Sequence, residues 1–214
     1  MTDQLLELTD DTTRHGNVVA TGVSADDYMD TYAEHFHEWV NGVVYKMSPA
    51  SVTHQMLQQF LSDFIRVYLR QTIGGKVIIA PVVMRLDAIR SRREPDLMVI
   101  LNDSLSRLQE TYLEGPADIV IEIVSPSNES VDRVSKKSEY ERGGVKEYWL
   151  FDPRHRETTF YHLDEAGKYV QIKPQNGVYT TPLLPKFKLD TDLLWQFPLP
   201  DILEVVDHIK AMLS

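Results

Sequence analysis

Apolar side chains recur along the chain with two different periods, and the longer period predicts the helices. From Thr53 onward, apolar residues stand three and four positions apart, the spacing of a helix with one buried face. Gly74-Gly75 ends this helix. The same period returns after Pro200 and predicts a C-terminal helix. Two shorter helices are predicted at 24–33, where Ser24 provides an N-cap, and at 131–143.

Short runs of β-branched and aromatic residues predict the strands. Asn41-Gly42 between two such runs predicts a β-hairpin at 36–47. Further strands are predicted at 76–80, 82–86, from Asp96, at 117–124 and at 146–152, with a second hairpin over 157–173. We therefore expect an α/β (mixed α+β) fold, with a mixed β-sheet flanked by helices, in one domain over 19–214. Residues 1–18 are expected to be a flexible leader.

The strand predicted at 117–124 contains a carboxylate among apolar neighbours. Because side chains alternate along a strand, Ile119, Ile121 and Ile123 share one face. Glu122 shares the other face with valines. A carboxylate isolated in such a place is unfavourable, and it must be protonated, paired or bound to a cation.

Asp96 is the candidate partner, since it opens the other strongly apolar strand. If the two strands are neighbours, the carboxylates of Asp96 and Glu122 converge. Together they provide oxygen ligands of the kind that Mg²⁺ or Mn²⁺ prefers. On the next helix, Asp132, Lys136 and Tyr140 stand at i, i+4 and i+8 and share one face. Two metal-binding acids and a lysine are the groups that hydrolytic phosphodiester cleavage uses.

Each of these residues also has a structural interpretation. Glu122 could form an ion pair with Arg85 or Arg93. Asp96 could mark only the turn before its strand. Lys136 could be a solvated lysine paired with Asp132. The basic residues at 90–93 could lie in a solvated loop, or Arg93 could contact a phosphate beside the metal.

Composition changes this picture in two respects. The net charge of −10 opposes a general attraction to nucleic acid, so a nuclease would need a local basic patch and bound metal. The chain has no cysteine, which excludes disulfides, thiolate metal sites and a cysteine nucleophile. No apolar run is long enough to span a bilayer, and the N-terminus lacks a secretory signal pattern. We therefore expect a cytoplasmic protein that does not associate with membranes.

Five sequence blocks together resemble the putative restriction endonuclease domain family, a branch of the PD-(D/E)XK nuclease superfamily. The blocks are HEWVNGVVYKMSP, the THQ helix, EPDLMVI, ADIVIEIVSPSN and DRVSKKSEYERGGVKEYWLFDP. The resemblance covers about 26–197, and the last block is its most specific part.

The resemblance implies a restriction-endonuclease-like core, Mg²⁺ or Mn²⁺ as cofactor, DNA as partner and a homodimer. In the PD-(D/E)XK pattern of the superfamily, the lysine lies two residues beyond the second acid. Val124 fills that position here. In this family the lysine has moved to the next helix, where Lys136 matches and Lys137 is the alternative. Glu38 matches an early glutamate that assists the metal site.

Three functions stay open from the sequence. The first is a metal-dependent endonuclease that hydrolyses DNA, with Asp96, Glu122, Lys136 and Glu38 in the site and Arg93 holding a phosphate. The second is a catalytically inactive binding or assembly protein with the same fold. The third is a metal-dependent phosphoesterase for a smaller substrate.

Overall fold

The structure is a computed structural model that describes residues 18–33, 36–125 and 131–214. Two six-stranded mixed sheets and a small two-stranded sheet form its framework. The strands are β1 (Val18–Thr21), β2 (His37–Val40), β3 (Val43–Lys46), β4 (Lys76–Ile79), β5 (Val83–Leu86), β6 (Ser91–Arg93), β7 (Leu97–Ile100), β8 (Tyr112–Glu114), β9 (Ile119–Ile123), β10 (Glu147–Asp152), β11 (Glu157–Leu163), β12 (Tyr169–Ile172), β13 (Val178–Tyr179) and β14 (Leu189–Asp190).

Four α-helices flank the sheets: α1 (Ala25–Thr31), α2 (Val52–Gln71), α3 (Lys137–Gly143) and α4 (Ile202–Leu213). A π-helical segment, Val131–Lys136, leads directly into α3. Ser24, Ser51 and Asp201 cap the N-termini of α1, α2 and α4 with their side-chain oxygens. Among the described residues, no helix is both long and apolar enough to cross a membrane.

The first large sheet has the order β1-β3-β2-β6-β5-β8, and the second has the order β12-β11-β10-β9-β7-β4. In the second sheet β9 pairs parallel with β10 and antiparallel with β7. The segment between β9 and β10 contains the π-helical turn and α3, so this part of the chain is a β-α-β unit.

The two faces of β9 enter different cores. Ile119, Ile121 and Ile123 pack in the larger core with α2 and α4. Val120 and Val124 pack in a second core with Tyr140 of α3. Glu122 alternates with these valines, so its side chain belongs to the face that the π-helical turn and α3 cover.

Most predicted elements are confirmed, including the mixed α/β fold, both hairpins and all four helices. The predicted strands at 76–80 and 82–86 form β4 and β5, which belong to different sheets. No strand was predicted at the position of β8, which pairs parallel with β5. The predicted leader lies outside the described residues except for Val18, the first residue of β1.

Candidate active site

Asp96 and Glu122 lie at the same end of two paired strands. Leu97 pairs with Ile121 in the antiparallel β7–β9 register, and one further step places Asp96 opposite Glu122. The Oδ2 atom of Asp96 accepts a 2.7 Å hydrogen bond from the Ile123 amide. Asp96 is thus more than a turn residue, because its carboxylate is fixed against the strand that carries Glu122.

Lys136 reaches this point from the π-helical turn. Its Nζ atom lies 2.9 Å from Glu122 Oε1 and 3.3 Å from Asp132 Oδ1. The residue is only 2% exposed, so it is not a solvated lysine. The neighbouring Lys137 is oriented elsewhere, with its Nζ atom 4.6 Å from the centre of the Tyr161 ring. Of the two lysines, the structure places Lys136 against the acids.

Tyr140, one helical turn beyond Lys136, donates a 2.6 Å hydrogen bond from its hydroxyl to Glu122 Oε1. The shared face of Asp132, Lys136 and Tyr140 therefore forms as the spacing predicts. Glu122 pairs with Lys136 instead of either candidate arginine. Arg85 lies near Asp87 and Glu114, and Arg93 binds Glu38 and Glu139.

Glu38 and Arg93 form a second layer beside Lys136. Arg93 is 1% exposed, and it donates to Glu38 Oε2 at 2.6 Å and to Glu139 Oε1 at 2.5 Å. Glu38 Oε1 lies 3.6 Å from Lys136 Nζ and accepts from the Glu94 amide. This burial favours a positioning role for Arg93 over the predicted phosphate contact.

His54 extends the site to the first turn of α2. Its Nε2 atom lies 2.9 Å from Asp96 Oδ2, the oxygen that also accepts from Ile123. Gln58, one turn later, donates to the Asp96 carbonyl. The N-terminus of α2 therefore fixes the position of Asp96 from the face opposite α3.

Lys136 and six buried charged residues around it form a group that we call the acid–lysine cluster. Its members are Glu38, Glu94, Glu122, Asp132, Glu139, Arg93 and Lys136, each 5% exposed or less. Five carboxylates stand against two cations, an excess of three negative charges if every acid is ionised. Burial of like charges at this density is unfavourable unless protons or a further cation balance it.

The pKa values of the acids reflect this crowding. Burial, together with the charges of Asp96, Asp132 and Glu38, outweighs the opposing effect of Lys136 and raises the pKa of Glu122 to about 8. Burial likewise raises the pKa of Asp132 to about 6. For Glu94, burial and then the charge of Glu38 raise the pKa to about 8.

Lys136 stays protonated in these surroundings. Burial alone would lower its pKa, but Glu122, Glu38 and Asp132 together raise the pKa well above the ordinary lysine value. A lysine in this state is a fixed positive charge and a hydrogen-bond donor. It is not a base that removes a proton near neutral pH.

The cluster also contains a buried oxygen without a hydrogen bond from any described residue, Glu94 Oε1, and Asp132 Oδ1 faces the Lys136 ammonium at 3.3 Å. Within the described parts of the chain, no group of three or more Asp, Glu or His side chains is arranged to hold a metal ion. Mg²⁺ is usually held by one or two carboxylates together with waters and substrate phosphates. The donor chemistry therefore fits a hard cation held by two acids, and it does not fit a closed protein cage.

Sequence reasoning did not identify three of these groups as site residues: His54, Glu94 and Glu139. The ring of His54 binds a residue 42 positions away, so no local histidine spacing reveals it. Glu139 acts by fixing Arg93, a contact across 46 positions. Glu94 had one weak indication, because it lies two residues before Asp96 at the start of an apolar strand.

Comparisons with known proteins identify a family and a shared fold. A family model described as "Uma2: Putative restriction endonuclease" matches residues 25–192. The uncharacterized protein slr1290 of Synechocystis sp. is 25% identical over 142 residues, which cover 65% of this chain and 72% of that protein. A crystal structure of a putative nuclease belonging to DUF820 from Anabaena variabilis superposes with a TM-score of 0.68 at 15% identity, covering 83% of this chain and 98% of the other.

The structural likeness establishes a shared fold, and the family model covers most of the chain, including the hairpin of Glu38, the strands of Asp96 and Glu122 and the helix of Lys136. The chain therefore belongs to the Uma2 family of putative restriction endonucleases.

Proposed function

We propose that the protein is a divalent-metal-dependent endonuclease that hydrolyses phosphodiester bonds in DNA. The observation that carries this proposal is the protonated, buried Lys136 amine 2.9 Å from Glu122, on a strand whose neighbour presents Asp96. Family membership supports a nuclease-like activity. The excess of buried carboxylates supports the requirement for a cation.

Asp96 and Glu122 are the residues that would hold Mg²⁺ or Mn²⁺. His54 and the Ile123 amide occupy Asp96 Oδ2, and Oδ1 is the oxygen that could ligate. When bound, the ion would activate a water molecule and stabilise negative charge on the phosphate. Asp132, whose buried Oδ1 atom lies 3.3 Å from Lys136 Nζ, would be a nearby second acid.

The role of Lys136 follows from its charge state. A permanently protonated amine donates hydrogen bonds to the attacking water or to the phosphate oxygens, where negative charge develops. Glu38 and Arg93 keep this amine in place through the second layer of ion pairs. Tyr140 fixes Glu122 through its hydroxyl.

The test has two stages, metal binding and DNA cleavage. Calorimetric titration with Mn²⁺ should give binding that Glu122→Gln removes, because the amide is a weak cation ligand. Plasmid and single-stranded DNA should then be cleaved only with Mn²⁺ or Mg²⁺. Lys136→Ala should lower the rate by at least about 100-fold, the scale of losing one transition-state donor.

Lys137→Ala is the matched control, since it removes a neighbouring lysine that lies over Tyr161. It should leave cleavage within about twofold of the wild type if Lys136 alone acts on the phosphate. Metal binding with intact DNA would favour a phosphoesterase for a smaller substrate. Absence of metal binding would favour the inactive binding or assembly protein.

Assembly and location belong to the same proposal. We infer a homodimer in the cytoplasm, as the resemblance and the cysteine-free sequence imply. Sedimentation equilibrium at several protein concentrations tests the dimer, and a monomer throughout would contradict it.

A further inference from the structure

A short turn beyond β10 carries three consecutive basic residues in a chain whose net charge is −10. Arg154, His155 and Arg156 are all exposed and join β10 to β11. We call this segment the basic turn. Arg133 of the π-helical segment lies at its base, where its Nη2 atom contacts Asp152 at 2.5 Å and Glu157 at 3.3 Å.

A buried carboxylate fixes the shape of the basic turn. Asp152 is 2% exposed, and its Oδ1 atom accepts from the amides of Arg154 and His155, each at 3.0 Å. Its Oδ2 atom lies 2.9 Å from His155 Nδ1 and also accepts from Arg133. The turn is therefore held in one conformation before any ligand binds, which lowers the entropic cost of binding.

The register of the sheet places the basic turn beside the acid–lysine cluster. Leu150 of β10 pairs with Glu122 of β9. Asp152 is two residues further along, roughly 6–7 Å, and alternation puts it on the same face as Leu150 and Glu122. The π-helical segment covers that face and supplies both Lys136 and Arg133.

We propose that the basic turn and Arg133 bind the DNA backbone at phosphates next to the one that is hydrolysed. This inference rests on the proposed function and adds the surface that holds the substrate. A DNA strand carries one phosphate per about 3.4 Å of helix axis, so a strand with one phosphate at the cluster brings others within reach of the turn.

Charge explains why such a surface is needed. The acid–lysine cluster and the whole chain repel a polyanion, and Arg93, the residue predicted to hold a phosphate, is engaged within the protein together with Arg92. Arg92 contacts Asp87, and Arg93 is buried between two glutamates. At the turn, by contrast, Arg154 and Arg156 are exposed, and the described residues that pair with Arg133 include Asp152 and Glu157.

The experiment measures binding of a short labelled DNA duplex by fluorescence anisotropy over a series of NaCl concentrations, with EDTA present to prevent metal-dependent cleavage. The test variant is Arg154→Gln/Arg156→Gln. If each arginine contacts one phosphate, the slope of log K against log[NaCl] falls in magnitude by about 1.8. Binding at 0.1 M salt weakens by roughly 60-fold on the same counterion-release arithmetic.

Arg66→Gln/Arg70→Gln is the matched control. It removes the same charge from two exposed arginines of α2, which lie about 18–24 Å along the helix from His54. These residues line a groove of about 680 Å³ with Lys76, so the control also tests the other basic surface. The control should bind DNA like the wild type.

Wild-type binding by the turn variant, an equal loss in the control, or no DNA binding by the wild type would each overturn the inference. Cleavage assays with Mn²⁺ separate this failure from failure of the proposed function. DNA cleavage that depends on Lys136 but not on the basic turn would support the nuclease activity and contradict the DNA-binding role of the turn. DNA binding that depends on the basic turn, without any cleavage, would support the DNA-binding role and contradict the nuclease activity.

Discussion

Neighbouring strands β9 and β10 each bury a glutamate, and the two sites differ in how the carboxylate is satisfied. Glu147 of β10 is fully buried in the larger core. It accepts from the indole of Trp149 at 2.7 Å, from the hydroxyl of Tyr179 at 3.0 Å and from the hydroxyl of Thr181, while His162 Nδ1 lies 3.3 Å away. Glu122 of β9 instead shares one ammonium with other acids.

The difference separates a structural acid from a functional one. Hydrogen-bond donors from four side chains satisfy Glu147 and connect β10 to the segment around β13. Around Glu122 the carboxylates outnumber the cations, and the buried Glu94 Oε1 atom has no hydrogen bond from a described residue. Burial of a carboxylate is therefore common to both sites, and unbalanced charge marks only one of them as a candidate active site.

Replacing Lys136, the cation at the centre of the acid–lysine cluster, should produce a large loss in the free energy of unfolding. Lys136→Met leaves several acids buried without their ammonium, a loss of about 3–5 kcal/mol in the free energy of unfolding. The loss should be greater at pH 8 than at pH 5, because Glu122 and Asp132, whose pKa values are about 8 and about 6, take up protons at the lower pH. Urea unfolding of the wild type and the variant at both pH values measures this loss in the free energy of unfolding.

Lys146→Met is the control for that variant. Lys146 also binds a buried carboxylate, with its Nζ atom 2.7 Å from Asp118 Oδ1, but its side chain is 54% exposed. Such a pair contributes about 0–1 kcal/mol. Equal losses in the two variants would contradict the distinction between a crowded buried cluster and an ordinary surface ion pair.

A smaller loss in the free energy of unfolding is expected when Glu147 is replaced. Glu147→Gln introduces an amide NH₂ group among side-chain donors, so at least one donor loses its acceptor, at a cost of about 1–3 kcal/mol. Mn²⁺ affinity should stay at the wild-type value, as calorimetry can show. A loss of metal binding in Glu147→Gln would mean that the two glutamates belong to one functional site.

The last prediction concerns the pH dependence of the free energy of unfolding. Burial raises the pKa of Glu94 and of Glu122 from 4.5 to about 8, so the folded protein holds protons that the unfolded chain releases. Stability without metal should therefore fall as pH rises from about 4.5 to 8, by at most about 1.4 kcal/mol per pH unit for each group. Glu38, whose pKa is lowered, stabilises the folded protein above about pH 4.5, and this contribution is lost as pH falls below that value.

Thermal unfolding in EDTA across this range provides the measurement. Glu94→Gln should flatten the profile, because it removes one of the two groups that release a proton. Stability that rises with pH over the same window would show that these acids are ionised in the folded protein. The variant also distinguishes the proton held by Glu94 from the one held by Glu122.

Local patterns in the sequence predicted those features that depend on neighbouring residues. The alternation around Glu122 identified its face, and the i, i+4, i+8 spacing aligned Asp132, Lys136 and Tyr140. Both inferences use only the period of a strand or a helix. The convergence of Asp96 and Glu122 depended on the condition that their strands are neighbours, and the β7–β9 register meets this condition.

Contacts between distant segments could not be predicted in this way. His54 meets Asp96, and Glu139 holds Arg93, across more than 40 residues. The fold also decides which basic residues stay exposed, since it buries Arg93 and leaves Arg154 and Arg156 at the surface.

The sequence alone determined the helices, most of the strands and the paired acids with their lysine, because short-range sterics and apolar periodicity set these features. The tertiary structure decided how many carboxylates share one ammonium, which nitrogen orients Asp96 and where positive charge faces solvent. The physical reason is that burial and electrostatic coupling depend on every segment that packs around a group, and those segments are brought together only when the sheets close around their cores.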